Sequence, residues 1–265
     1  MIPKIIHYCW FGGAAKPQLL QHCINSWKKR LPDYKIKEWN ETNFDVNIAP
    51  LCQEAYAAKK WAFVADYCRI YALATEGGVY MDTDIIVLRP FDEFLKYSFC
   101  SCQEYQPWIF EKEKTGFIDN NGVRLPGVEG HVPGFGVQSG IMMAEAGSPY
   151  ILDCLHFYNQ LHLPKDLSEI IVCRILSQQM EKYGYRYTNE RQLLTGNILI
   201  ESPDTFANMT MLDANSYAWH LYYRSWGGEF SIKQKVRHAF PRLYLLAQLL
   251  FHRKCSWQLI KRVLA

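Results

Sequence analysis

Residues 61–88, WAFVADYCRIYALATEGGVYMDTDIIVL, are the stretch on which the reading of this chain turns. Up to Glu76 the apolar side chains recur at helical spacing, and Gly77-Gly78 provide a terminator. Val79 to Met81 then have strand character, Asp82-Thr83-Asp84 interrupts, and Ile85 to Leu88 resume an apolar run. The stretch therefore predicts a helix, a tight glycine pair and a strand that ends in two carboxylates.

The flanks extend the pattern. PKIIHYCWF (3–11) is a buried-strand run that stops at Gly12-Gly13. KPQLLQHCINSWKKRLP (16–32) places Leu19, Leu20, Cys23, Ile24 and Trp27 at helical spacing before a proline stop, and DYKIKEWN (33–40) alternates like a strand. Strand, helix, strand, helix, strand is the order of a parallel sheet covered by helices. Residues 103–133 lose the period and are rich in Gly, Pro and Asn, as a functional or mobile loop would be. An apolar strand resumes in GFGVQSGIMMAEAGSPY (134–150). Helices are expected from Pro149 to about Gln160 and from Leu167 to Tyr183, and strand-like edges in LTGNILIES (194–202) and MLDANSYAWHLY (211–222). There is no internal repeat.

Composition narrows the class. The chain has 265 residues, 49% hydrophobic and 21% charged, an ordinary globular balance for one large α/β domain. The nine cysteines are odd in number, irregularly spaced and without a CxxC pair, so neither a zinc site nor a disulfide framework is indicated. They read as buried, reduced thiols, which implies a cytoplasmic protein. The N-terminus lacks a basic segment and a cleavage site, and no apolar window reaches the ~18 residues of a membrane-spanning helix.

The net charge of +3 is unevenly distributed. From Phe230 onward there are eight Lys/Arg and no Asp or Glu, which leaves 29 − 8 = 21 basic against 26 acidic residues in the rest. Residues 1–230 read as the catalytic domain and 231–265 as a basic amphipathic helical tail broken at Pro241. Basic residues flanking LYLLAQLLF (243–251) and WQLIKRVL (257–264) suit peripheral contact with an anionic membrane, the inner face of the plasma membrane for a cytoplasmic protein. A solvated hairpin packed on the domain is the plainer alternative. Basicity confined to a tail interleaved with long aliphatics argues against nucleic acid.

Asp82 and Asp84 stand at i and i+2, which on an extended segment directs both to one face. Carboxylates that close repel unless a cation lies between them. A divalent cation with oxygen ligands answers the repulsion and also seats a diphosphate. A hydrolytic acid–base pair is the competing chemistry, but its carboxylates straddle a bond from opposite sides, which i and i+2 do poorly.

PKIIHYCWFGG, ADYCRIYALATEGGVYMDTDI and HLYYRSW resemble the glycosyltransferases of family 32, the DXD sugar transferases of capsular and lipopolysaccharide O-antigen synthesis. These are akin to the glucosylating domains of clostridial toxins. The resemblance implies a GT-A-like, Rossmann-type sandwich of mostly parallel sheet and helices. It also implies a nucleotide-sugar donor, Mn2+ or Mg2+, and retention of anomeric configuration. By the same resemblance Asp84 is a direct metal ligand, while Asp82 touches the donor and reaches the metal. Asp66 holds sugar hydroxyls, and Arg69, one helical turn on, faces the donor. Trp10 would stack on the nucleobase, with Tyr80 nearby. His220 or Ser225 would complete the metal site, and Trp226 would cap the leaving group. Gln138 and Ser139 would lie toward sugar and acceptor, where the family often has Asn.

The expected activity is transfer of a hexose, galactose or glucose first, from a UDP-sugar to a polysaccharide or lipid-linked oligosaccharide. A GDP-mannose-dependent transferase of the same fold, or a non-catalytic scaffold built on it, are the alternatives.

Overall fold

The computed structural model describes residues 1–223, 239–250 and 256–264. The main sheet has eight strands: β1 Ile5–Cys9, β2 Lys35–Trp39, β3 Gly78–Met81, β5 Phe99–Tyr105, β6 Phe135–Val137, β7 Ile141–Ala144, β8 Gln192–Leu194 and β9 Ile198–Glu201. Their order is β2-β1-β3-β7-β5-β9-β8, with β6 on β5. A second sheet of three strands, β10-β11-β4, comprises Phe206–Ala207, Ala218–His220 and Ile85–Val87. The helices are α1 Gln18–Arg30, α2 Pro50–Ala57, α3 Trp61–Glu76, α4 Pro107–Glu113, α5 Pro149–Tyr158, α6 Val172–Glu181, α7 Pro241–Leu250 and α8 Trp257–Leu264.

Residue alternation sorts the strands' side chains to two faces. Tyr80, Met142 and Ala144 join Val64, Tyr67 and Ile70 of α3 and the buried residues of α5 and α6 in one core. Val79, Met81, Ile141 and Met143 face the other way, into a core with Ile24 and Trp27 of α1 and Ile85 and Val87 of β4. A third cluster lies behind the small sheet, where Leu245, Leu249, Leu259 and Val263 of α7 and α8 meet Leu20, Ile86 and Trp219. The sandwich of central sheet and flanking helices is thus the expected one.

The pairing is mixed rather than mostly parallel. β1 runs parallel to both β2 and β3, and β5 parallel to β9, but β7 is antiparallel to β3 and to β5. The cause is local. β6 and β7 are one return run along β5, interrupted at residues 138–140, so 106–134 closes a wide hairpin rather than a crossover. That excursion, expected to be irregular throughout, carries α4 and a small bridge between Ile118 and Arg124. The helix expected over 167–183 is split into a 3-10 turn, Leu167–Ile170, and α6, with an extended Ile171 between them. The sequence reading assigned nothing to α2.

The glycine pair fixes how α3 enters β3. Gly77 and Gly78 have φ of +63° and +111°. A Cβ on Gly77 would lie 2.6 Å from the Ala146 amide nitrogen, and one on Gly78 2.5 Å from the Ile5 carbonyl oxygen. His7, fully buried, donates from Nε2 to the Gly77 carbonyl at 2.7 Å and accepts the Trp39 indole N–H on Nδ1 at 3.0 Å. Burial holds its pKa below the usual imidazole value, so it serves as a neutral strut.

Candidate active site

β3 runs into the motif at Met81, and the chain then leaves the main sheet for the small one at Ile85. Asp82 and Asp84 occupy that joint. They do not lie on an extended segment as expected: the Ile85 amide donates to the Asp82 carbonyl at 3.2 Å, closing a turn across the motif. The turn still brings the carboxylates together, because α1 anchors the outgoing strand. Trp27 Nε1 donates to the Ile85 carbonyl at 2.7 Å, and the Val87 amide donates to Ser26 Oγ at 2.9 Å.

β11 lies antiparallel to β4 and delivers His220 opposite Ile85. His220 Nε2 is 3.4 Å from Asp84 Oδ1 and 4.0 Å from Asp82 Oδ2. Potential ligand atoms of Asp82, Asp84 and His220 all fall within 4.8 Å of one another, the one such group among the described residues. Asp84 also fixes the chain beyond β11: its carbonyl accepts the Leu221 amide at 3.1 Å, and its Oδ2 accepts the Tyr223 amide at 2.6 Å.

Burial opposes the Asp84 charge, but His220 and the Tyr223 N–H outweigh it and hold its pKa below the ordinary value. Burial likewise opposes a charged imidazole at His220, and Asp84 and Asp82 outweigh that, raising its pKa. Burial raises Asp82, only partly countered by Arg69. His220 and Asp84 thus each favour the charged form of the other.

The residues fit a divalent cation. Two carboxylates and an imidazole form a mixed O/N donor set suited to Mn2+ and, less well, to Mg2+. His220 Nδ1 is buried without a hydrogen-bond partner. The backbone of Gly140 leaves space beside the group: a Cβ there would sit 2.9 Å from His220 Nδ1 and 3.2 Å from Asp82 Oδ2.

Arg69 stands beside the cluster. It reaches Asp66 at 2.7 Å, Asp82 at 3.5 Å and the Ser139 carbonyl at 3.0 Å, and its guanidinium lies 4.7 Å from the Tyr80 ring centroid. The pair Asp66 and Arg69 is thus more than an exposed intrahelical ion pair, since both are buried. Burial pushes Asp66 up to about 6, with Arg69 drawing it down and Asp82 pushing it up. Tyr80 donates its hydroxyl to Asp82 Oδ1 at 3.0 Å, which occupies it in holding the motif.

These groups face a cavity of about 400 Å³. It is also lined by Trp10, Phe11 and Ala14, by Trp61 and Phe63 from the start of α3, and by Ser139, Ile171, Val172 and Tyr222. Of the residues singled out in the sequence, Trp10, Asp66, Arg69, Tyr80, Asp82, Asp84, Ser139 and His220 line it. Gln138 does not: it is 2% exposed and donates its amide to the Phe206 carbonyl at 2.8 Å, across to the small sheet. Ser225 and Trp226 lie outside the described residues. Trp61, Phe63, Gly140 and Tyr222 were not anticipated. Gly140 had a signal, since a glycine inside an apolar strand run marks close approach; Tyr222 had none.

Comparison with known proteins finds partial matches. Residues 17–100 match the glycosyltransferase sugar-binding region containing a DXD motif, which takes in Asp66, Arg69, Asp82 and Asp84. The chain is 24% identical over 119 residues to Subversion of eukaryotic traffic protein A of Legionella pneumophila, an alignment covering 35% of this chain and 18% of that protein's length. Among solved structures, the PaToxG glycosyltransferase aligns at a TM-score of 0.44 and 17% identity, over 68% of this chain and 69% of its own. The galactosyltransferase LgtC, solved with donor and acceptor sugar analogues, aligns at 0.43 and 11%, over 90% and 94%. A glycosyltransferase involved in glycosylation of the major capsid of PBCV-1 aligns at 0.43 and 10%, over 83% and 94%.

Proposed function

We propose that the protein is a metal-dependent, retaining glycosyltransferase of the family 32 type. It would transfer a hexose from a nucleoside-diphosphate sugar, UDP-galactose or UDP-glucose first, to a growing polysaccharide or lipid-linked oligosaccharide. One observation carries the reading: Asp82, Asp84 and His220 converge within 4.8 Å in a cavity that also holds Arg69 and Asp66. A cation held by these three would neutralise the donor diphosphate and the charge that grows on it as it leaves.

The chain's own groups take the remaining roles. Trp10 offers a flat wall to the nucleobase. Asp66, anchored by Arg69, accepts hydrogen bonds from sugar hydroxyls. Arg69 sets a fixed positive charge 3.5 Å from Asp82, beside the expected diphosphate. Among the described residues lining the cavity, the carboxylates are Asp66, Asp82 and Asp84, and each already has a partner. Transfer on one face suits such a site: the acceptor oxygen bonds to the anomeric carbon, the carbon–phosphate-oxygen bond breaks, and the acceptor proton passes to the departing phosphate oxygen.

The test is Mn-dependent release of nucleotide from a panel of UDP- and GDP-sugars, with wild type beside Asp84→Asn. Release from one donor, abolished by EDTA and by the substitution, supports the proposal and identifies the sugar. A GDP-mannose response would move it to a mannosyltransferase. Full activity without metal, or neither hydrolysis nor metal-dependent nucleotide binding, would overturn it, the latter in favour of a scaffold.

The tail fits a lipid-linked acceptor. α7 and α8 bury Leu245, Leu249, Leu259 and Val263 while leaving Leu243, Leu250 and Trp257 exposed, with Phe240 exposed just before α7 and Arg242 and Lys261 on the same two helices; Arg262 instead donates to the Ala214 carbonyl at 2.6 Å. No helix among the described residues is long and apolar enough to cross a membrane. Co-sedimentation should show binding to phosphatidylglycerol vesicles that weakens with salt; equal absence from anionic and neutral vesicles would refute the contact.

A further inference from the structure

Tyr222 has an unusual conformation for a bulky residue, with φ at +48°. Its neighbours enforce this. The amides on either side, Leu221 and Tyr223, both donate to Asp84, one to the carbonyl and one to the carboxylate. The hooked backbone lays the Tyr222 ring on the His220 imidazole, centroids 3.9 Å apart and planes 20° from parallel. One face of the ring is thereby covered. Tyr222 is nonetheless 38% exposed and lines the cavity. Strain of this kind persists where surrounding contacts over-determine it, and here they aim a large aromatic surface at the cleft.

Polar groups lie near the Tyr222 hydroxyl, whose pKa is raised by burial and then by Glu104 and Cys173. Ser139 Oγ lies 3.5 Å from Cys173 Sγ, and the Cys173 thiol donates to Glu104 Oε2 at 2.9 Å. With the Cys173 proton committed to Glu104, the sulfur is left to accept the Ser139 O–H, and Ser139 lines the cavity. An aromatic plate next to an oriented hydroxyl is the chemistry that recognises a pyranose: the ring's C–H face packs on the plate, and one sugar hydroxyl meets the oriented group.

From this arrangement we infer that Tyr222 is the floor of an acceptor subsite for a pyranose, with Ser139 as its polar contact. The assignment deepens the transferase reading and rests on it. Because Asp84 both belongs to the metal cluster and holds the hook, occupancy of the metal site and presentation of Tyr222 are linked.

Saturation-transfer NMR with methyl β-glucoside, methyl β-galactoside and methyl α-mannoside tests this, in the presence of diamagnetic Mg2+ and UDP or GDP, and nucleotide affinity is titrated with Mn2+ as well. Calorimetric titration of the nucleotide is run on the same samples. At least one pyranoside should saturate through its ring protons in wild type and Tyr222→Phe. Its affinity should fall about tenfold or more in Tyr222→Leu, roughly the loss of one aromatic contact. Ser139→Ala should weaken it and change which hydroxyl-bearing protons saturate. Nucleotide affinity should be the same in wild type, Tyr222→Phe and Ser139→Ala.

Nucleotide binding in wild type with no pyranoside signal, or with a signal untouched by Tyr222→Leu, overturns the subsite and leaves the transferase reading standing. Failure of wild type to bind either nucleotide with Mn2+ overturns the transferase reading itself, and the subsite with it. Weaker nucleotide binding in Tyr222→Leu with unchanged pyranoside affinity would make Tyr222 a support for His220 and refute the proposal.

Discussion

Replacing Gly140 by alanine probes the metal cluster without removing any ligand. The added Cβ would lie 2.8 Å from His220 Cε1 and 2.9 Å from Nδ1. Carbon atoms pack at about 3.5 Å or more, so the imidazole must move by roughly 0.7 Å. It has little room. Tyr222 is stacked on one face at 3.9 Å, and Asp84 holds Nε2 at 3.4 Å. Nor can residue 140 withdraw freely, since its carbonyl accepts the Asp82 amide at 2.8 Å. Overpacking of this kind costs about 1–3 kcal/mol. A ligand displaced by a good fraction of an ångström should weaken Mn2+ binding by roughly 10–100-fold. Isothermal titration with Mn2+ measures the affinity, and thermal unfolding of metal-free protein separates loss of affinity from loss of fold. The reasoning is refuted if Gly140→Ala binds Mn2+ as wild type does, or if the metal-free variant loses far more than about 3 kcal/mol, so that its lost affinity reports only a lost fold.

Arg69→Ala should destabilise the protein by about 3 kcal/mol in urea unfolding, because it strands the buried Asp66 carboxylate; Arg69→Lys should recover only part, lacking the fork that spans Asp66, Asp82 and the Ser139 carbonyl. Mn2+ binding should release a proton near neutral pH and weaken as pH falls, since His220 carries a raised pKa and must be neutral to ligate; titrations in buffers of different ionisation enthalpy measure that release. Without metal, the His220 contribution to stability is fully present below the ordinary imidazole value and is lost as pH rises through the raised one, which melting curves across that range would register. At saturating Mn2+ the donor KM should climb as pH falls through about 6, where Asp66 takes up a proton, and Asp66→Asn should remove that part of the acid limb while leaving the part set by His220.

The parts of the fold governed by nearest neighbours were legible. β1, α1, β2 and α3 announce themselves by period, and the glycine pair by the conformations only glycine takes readily. Asp66 and Arg69 could be paired because helical spacing alone puts them on one face. What depended on distant partners was not legible. Nothing between Asp84 and Ile85 says that the chain is about to change sheets, because Ile-Ile-Val suits either one; α1 decides it through Trp27 and Ser26. The spacing of the two aspartates suggested an extended segment, and a turn achieves the same convergence. Gln138 and Ser139 looked equivalent in sequence, and a one-residue difference in facing sends the first to Phe206 and the second to the cavity. His220 could be named as a candidate, but its placement rests on β11 finding β4.

The change of sheet at the aspartates has a mechanical corollary. A cation shared by Asp82, Asp84 and His220 would rivet two sheets that are otherwise held by packing and by long-range bonds such as Tyr223 to Asp84, 139 positions apart. Because the unfolded chain offers no such preformed site, the cation stabilises the folded arrangement by binding it alone. Its effect should spread beyond the cavity: amides of the small sheet, and of the tail helices seated behind it, should exchange with deuterium more slowly once Mn2+ is added, while those of β2 at the far edge keep their rates.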